Sequence, residues 1–256
     1  MRHRTLLLAG LLACPGAVAA QAIETGFLDR SISLDKVEYV YQVYVPRAYR
    51  PSEEWPVILF LHGAGERGDD GLFQTQVGLG SAIRANPERW PAIAVFPQAP
   101  EEMTWQGTPG RVAMAALDAT LQEFRVDESR VYLTGLSLGG NGTWYLAYSH
   151  ADRFAALVAI CSFVEAFPGF PRFIPESSTD PYSTLAASVA DVPVWIVHGD
   201  ADEVVPVEES RRMAAALEEA GADVRYEELP GVGHNAWDPA YASEELAVWL
   251  FSQQRQ

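Results

Sequence analysis

In the stretch RVYLTGLSLGGNGTW, Ser137 lies between Gly135-Leu136 and Leu138-Gly139, after an apolar extended run and before a helix-forming one. A serine at such a junction must occupy a sharp turn, and glycine at 135 and 139 lets strand and helix approach closely enough to make it. The turn would present the hydroxyl at the strand end, above a helix N-terminus that favours developing negative charge. That arrangement suits attack by Ser137 on a carbonyl carbon. The pentapeptide alone is common; the flanking strand and helix make it informative.

A serine hydroxyl is a weak nucleophile at neutral pH and needs a base. Of five histidines, His3 lies in the leader-like N-terminus and His150 follows the helix after Ser137, while His62 and His198 each end an apolar strand, where a structural imidazole is expected. His234 lies in the glycine-rich loop GVGHNAW, where no packing role calls for histidine, and is the candidate base. An acid must orient it. The loop HGDADEVVP offers Asp200, Asp202 and Glu203. Asp202 is preferred, because Asp200 directly follows the strand glycine and suits a turn cap, and Glu203 would project elsewhere. Two backbone donors should hold the oxyanion: Leu138, after the nucleophile, and Ala64 in His62-Gly63-Ala64-Gly65, with Gly65 next in line.

The elements that must hold these residues are readable from patterning. Residues 37–45 alternate and suit an antiparallel entry strand. Continuous apolar runs at 56–62, 92–97, 130–135, 156–161 and 192–199 suit strands covered on both faces, with an edge strand at 223–229. Helices are expected at 110–124, 139–150, 206–220 and 239–252. The alternation indicates an α/β fold with a mostly parallel central sheet and helices on both faces. Residues 162–191, with four prolines and four phenylalanines, break the pattern and are expected to form a flap beside the site or a satellite hydrophobic cluster. No large cap domain is indicated.

A length of 256 residues allows one large domain, expected at 21–256. Residues 1–20 carry a basic start, a short apolar run and the small residues Val18 and Ala20 before Gln21, the pattern of a cleavable export signal and hence of a secreted or periplasmic protein. The competing reading is a lipoprotein anchored through Cys14 in Leu-Leu-Ala-Cys. Cleavage after Ala20 would leave Cys161 as the sole cysteine, expected to be a buried, inert thiol. It would also remove Arg2 and Arg4, leaving 16 basic against 34 acidic side chains, a net charge of −18 that disfavours nucleic acid and anionic lipid. No spacing supports zinc, and Asp69, Asp70, Asp200, Asp202 and Glu203 are not spaced as calcium ligands. Asn141-Gly142-Thr143 is a glycosylation sequon by letter, but it falls in the helix after Ser137, where packing is the better reading.

With these motifs placed, the chain resembles the α/β-hydrolase superfamily, specifically its phospholipase/carboxylesterase branch. It is also similar to secreted esterases grouped as predicted peptidases, near feruloyl and acetylxylan esterases and polyhydroxybutyrate depolymerases. The resemblance runs from Tyr41 to Phe251. It implies a nucleophile at Ser137, the acid of Gly-x-x-Asp-x-x-Val-Pro at Asp202, the base of Gly-x-Gly-His at His234, and an oxyanion donor at Ala64. It also implies that Glu66 and Arg67 brace the first loop and that Trp105 lines the substrate cleft, with core packing the competing reading for this tryptophan. Ala99 stands where a cysteine is frequent. The implied activity is cofactor-free, metal-free hydrolysis of a small-molecule or polysaccharide-linked carboxylic ester through an acyl-enzyme. The alternatives are a serine peptidase acting on short peptides and a non-catalytic binding protein that kept the fold.

Overall fold

The computed structural model describes residues 23–165, 167 and 170–255. The expected signal at 1–20 and Cys14 lie outside them.

Each apolar run forms a strand whose alternate side chains serve two different cores. In β3 (Trp55–Leu61), Val57, Leu59 and Leu61 belong to one hydrophobic cluster, and Ile58 and Phe60 belong to the other. The same split separates Ile93 and Val95 from Ala94 and Phe96 in β4 (Ile93–Pro97), and Ile196 from Trp195 and Val197 in β7 (Val194–Gly199). A strand apolar on both faces must be covered on both, which is why these runs lack a polar alternation.

The first core is completed by α2 (Thr108–Glu123), α3 (Leu138–His150), α4 (Pro181–Val189) and α5 (Glu208–Glu219). The second is closed by α1 (Leu79–Ala85), α6 (Trp237–Ala242) and α7 (Glu244–Ser252).

With β1 (Gly26–Leu34), β2 (Val37–Val45), β5 (Val126–Leu136), β6 (Ala156–Ile160) and β8 (Val224–Leu229), the sheet has the order β1-β2-β4-β3-β5-β6-β7-β8 among the described residues. The first three strands pair antiparallel, and every later neighbour is parallel. β2 spans the expected 37–45, and β8 forms the far edge.

Besides the short α1, which was not expected, three features differ from the sequence expectation. β1 was not anticipated; it pairs with β2 through a two-residue turn in which Asp35 and Lys36 take φ of 53° and 69°, the hairpin geometry usually supplied by Asn-Gly. The stretch 162–191 is not irregular throughout, because Asp180 caps α4 by accepting a hydrogen bond from the Tyr182 amide, with Pro181 at the first helical position. The helix expected at 239–252 is two helices divided at Ser243, whose hydroxyl caps α7 at the Leu246 amide.

Candidate active site

The sequence-selected loops all leave the C-terminal ends of parallel strands: 62–71 after β3, Ser137 after β5, 200–206 after β7 and 230–236 after β8.

Ser137 takes φ 52°, ψ −116°, a strained conformation for a side-chain-bearing residue, and directly precedes α3. The turn closes because a Cβ at Gly135 would overlap the Gly139 carbonyl and one at Gly139 would overlap the Leu61 carbonyl. The start of α3 therefore rests on the end of β3.

The Ser137 hydroxyl lies 2.9 Å from His234 Nε2, and His234 Nδ1 lies 2.7 Å from Asp202 Oδ2. The Asp202 carboxylate has no solvent exposure, whereas the His234 side chain retains 20 %. Trp237 packs edge-on against the His234 ring at 5.4 Å. Asp202 Oδ1 accepts the amides of Val204 and Val205 at 2.8 and 2.9 Å. Burial alone would raise the Asp202 carboxyl, but the hydrogen bonds from His234 and from these two amides outweigh it and hold the group below the ordinary carboxylate range. Asp200, the alternative acid, is exposed and accepts the Gly231 amide at 2.6 Å, so it braces the turn before His234. Glu203 is exposed.

Ala64 and Leu138 each open a helical turn, after Gly63 and Ser137 respectively, so their amides belong to the first-turn donors that a helix leaves without an internal acceptor. The loop carrying Ala64 is tightly held. Arg67 Nε donates to the Ala64 carbonyl at 2.9 Å. Gln98 accepts the Gly71 amide through Oε1 and donates through Nε2 to the Glu66 carbonyl and to Asp70. Asp70 in turn caps the amides of Leu72 and Phe73. Burial raises the Glu66 carboxyl, whose Oε2 is enclosed without a hydrogen-bond partner.

Trp105 does not line the cleft. Its indole is fully buried, donates Nε1–H to the His62 carbonyl at 3.0 Å, and packs edge-on against the His62 ring at 4.8 Å. The indole packs beneath the loop because α3 has room for it only at Gly142, where any Cβ would meet the ring.

Both strand-end histidines are buried and hydrogen-bonded, His62 at Gly63 and Ala99, and His198 at Ser210, Asp202 and Val205. The contact between His198 and Asp202 and the bracing by Gln98 were not foreseen from sequence. The signals available were a histidine four residues before the acid and a lone glutamine between prolines after an apolar strand. Asn141, at the sequon, is 2 % exposed and donates to the Phe163 carbonyl, so its side chain is spent on packing. Cys161 is buried, and burial pushes its thiol well up. Among the described residues, no three His, Cys, Asp or Glu side chains gather as a metal site.

In the segment after β6, Phe163 packs on Phe167 and Phe170, and Phe173 packs on Tyr145 and Tyr148. Glu209 ties down its start, accepting the amides of Val164 and Glu165 and the Tyr182 hydroxyl. The aromatic-cluster reading of this segment therefore describes its packing.

The prolyl oligopeptidase family matches residues 106–167 and 173–252, more than half of the chain. The chain belongs to this family. With its sheet order and strand-end loops, this member carries the α/β-hydrolase fold. The solved structure of a thermostable esterase is 31 % identical, with a TM-score of 0.77 over 90 % of this chain and 63 % of that one. An uncharacterized secreted protein of Arthroderma benhamiae is 26 % identical over 72 % of this chain and 22 % of its own length. A bifunctional acetylxylan esterase/xylanase of Neocallimastix patriciarum is 29 % identical over 64 % of this chain and 21 % of its own length. This chain thus spans only about a fifth of the length of these two relatives.

Proposed function

We propose that this chain is a serine hydrolase that cleaves carboxylic esters through an acyl-enzyme. The observation that carries the reading is the continuous hydrogen-bonded line from Ser137 Oγ through His234 to Asp202. His234 Nε2 takes the hydroxyl proton as Oγ bonds to the ester carbonyl carbon. Asp202 holds the proton on Nδ1, leaving Nε2 free to accept, and stabilises the imidazolium that forms. The amides of Ala64 and Leu138 receive the oxyanion, each contributing roughly 3 kcal/mol to the transition state. His234 then returns the proton to the departing alkoxide, and water, activated by the same imidazole, releases the acid. No step calls for a cofactor.

The esterase names of two of the relatives support an ester substrate. The family match to prolyl oligopeptidases favours a second reading, hydrolysis of short peptides. Comparing aryl acetates and butyrates with a chromogenic prolyl dipeptide separates the two: the ester reading expects turnover of esters alone. A fluorophosphonate should label the protein stoichiometrically. Failure of both labelling and ester turnover would overturn the reading in favour of a non-catalytic binding protein. Export through residues 1–20 belongs to the same proposal and is supported by the name of the secreted relative, with a lipid anchor at Cys14 as the alternative.

A further inference from the structure

His198 ends β7 with no solvent exposure. Its Nε2 lies 3.1 Å from Asp202 Oδ2 and 3.1 Å from the Val205 carbonyl, and its Nδ1 lies 2.7 Å from Ser210 Oγ on α5. A carboxylate oxygen and a carbonyl can only accept, so Nε2 must carry a proton. Nδ1 is left to accept from the Ser210 hydroxyl in a neutral ring. Burial holds the imidazole in that neutral form, although Val205 and Asp202 pull toward protonation.

Asp202 Oδ2 is therefore shared between two imidazoles, the donor from His198 at 3.1 Å and the donor from His234 at 2.7 Å. Oδ1 is filled by two amides, so all four acceptor sites of the carboxylate are occupied. The His198 proton has two consequences. It fixes the carboxylate rotation that aims Oδ2 at His234, and it spends part of the negative charge that would otherwise stabilise protonated His234.

We infer that His198 is a positioning residue for the Asp202–His234 pair, fixing the carboxylate and setting the pH at which His234 becomes a competent base. The inference rests on the triad reading above and goes beyond it by giving a function to a buried histidine outside the proton-relay line. The other ionisable groups facing His198 do not compete for this role. Glu228, in register on β8, is neutralised by Arg211.

The test is the kcat/KM profile of an aryl acetate against pH for wild type, His198→Leu and His198→Gln. Leucine removes the donor, whereas glutamine offers an amide N–H near the position of Nε2. Loss of the donor leaves more charge on Asp202, so the acid limb of His198→Leu should move up by about one pH unit. Its kcat should fall several-fold with KM unchanged, and His198→Gln should return the limb toward wild type. An unshifted limb in His198→Leu, with equal loss of kcat in both variants, would reduce His198 to a structural tie between β7 and α5 and overturn the proposal.

Should both variants fail to fold, nitrogen-resolved NMR of the wild-type imidazoles decides the matter. The Nε2–H neutral tautomer at His198 is expected, and an Nδ1–H tautomer or an imidazolium overturns the proposal. Ser137→Ala is run alongside. Wild-type turnover in that variant overturns the triad reading and this inference together, whereas an inactive Ser137→Ala with an unmoved His198→Leu limb overturns this inference alone.

Discussion

The His62 ring donates its Nδ1 proton to the Gly63 carbonyl at 2.7 Å while its Nε2 accepts the Ala99 amide at 2.9 Å. The Gly63 carbonyl and the Ala64 amide belong to one planar trans peptide and point in opposite directions. Fixing the first on His62 therefore fixes the second away from it. The proposed oxyanion donor is thus oriented by a buried neutral histidine, whose Nε2 accepts the Ala99 amide and whose ring packs against the Trp105 indole.

That neutral ring makes stability pH-dependent. Burial pushes His62 down to about 4 from its ordinary 6.5, so between these values the unfolded chain binds a proton that the folded chain refuses. The His62 contribution to stability should fall as pH drops from about 6.5 toward 4, and be fully lost below. His62→Gln should remove on the order of 3 kcal/mol of that fall, measured as the difference between denaturant-derived stabilities at the two ends of the window. The same slope in both proteins would contradict it. His198, also lowered by burial, keeps a residual slope in the variant.

Asp202 and Asp200 stand two residues apart and should differ sharply. Asp202→Asn presents the wrong hydrogen-bond partner to His234 Nδ1 and should lower kcat by roughly 10³–10⁴-fold with the fold retained. Asp200→Asn disturbs only the tie to Gly231 and should stay within about threefold of wild type. Ester turnover of the pair under one set of conditions checks this, and a reversed ranking would make Asp200 the acid.

Gly139→Ala places a methyl group against the carbonyls of Leu61 and His62, which are backbone atoms that cannot swing aside. The variant should lose at least ~3 kcal/mol of stability, seen as a fall in Tm of roughly 6–12 °C. An unchanged Tm would mean that the approach of α3 to β3 is looser than described.

Trp105→Phe should leave KM for every ester in a panel unchanged and cost about 1 kcal/mol for the lost bond to the His62 carbonyl. A KM change that depends on the acyl group would return Trp105 to the cleft.

What the sequence revealed, and what it hid, follows from how each feature is encoded. The parallel strands were legible because burial on both faces leaves continuous apolar runs, as in VILFL and VPVWIV. Ser137 was legible because a strained turn admits only glycine at 135 and 139. β1 was hidden because Asp35-Lys36 makes the hairpin without glycine or asparagine, and α1 because seven residues carry too little periodicity. Trp105 was misplaced because its partner is a backbone carbonyl 43 residues away, which no local pattern records. The His198 contact escaped for a similar reason: only the turn of 200–205 folds Asp202 back under the end of its own strand.

The most direct measurement is turnover of an aryl acetate by Ser137→Ala, with circular dichroism and Tm confirming a wild-type fold. A loss of at least ~10⁴-fold in kcat is expected. Activity within about tenfold of wild type in a correctly folded Ser137→Ala would contradict it.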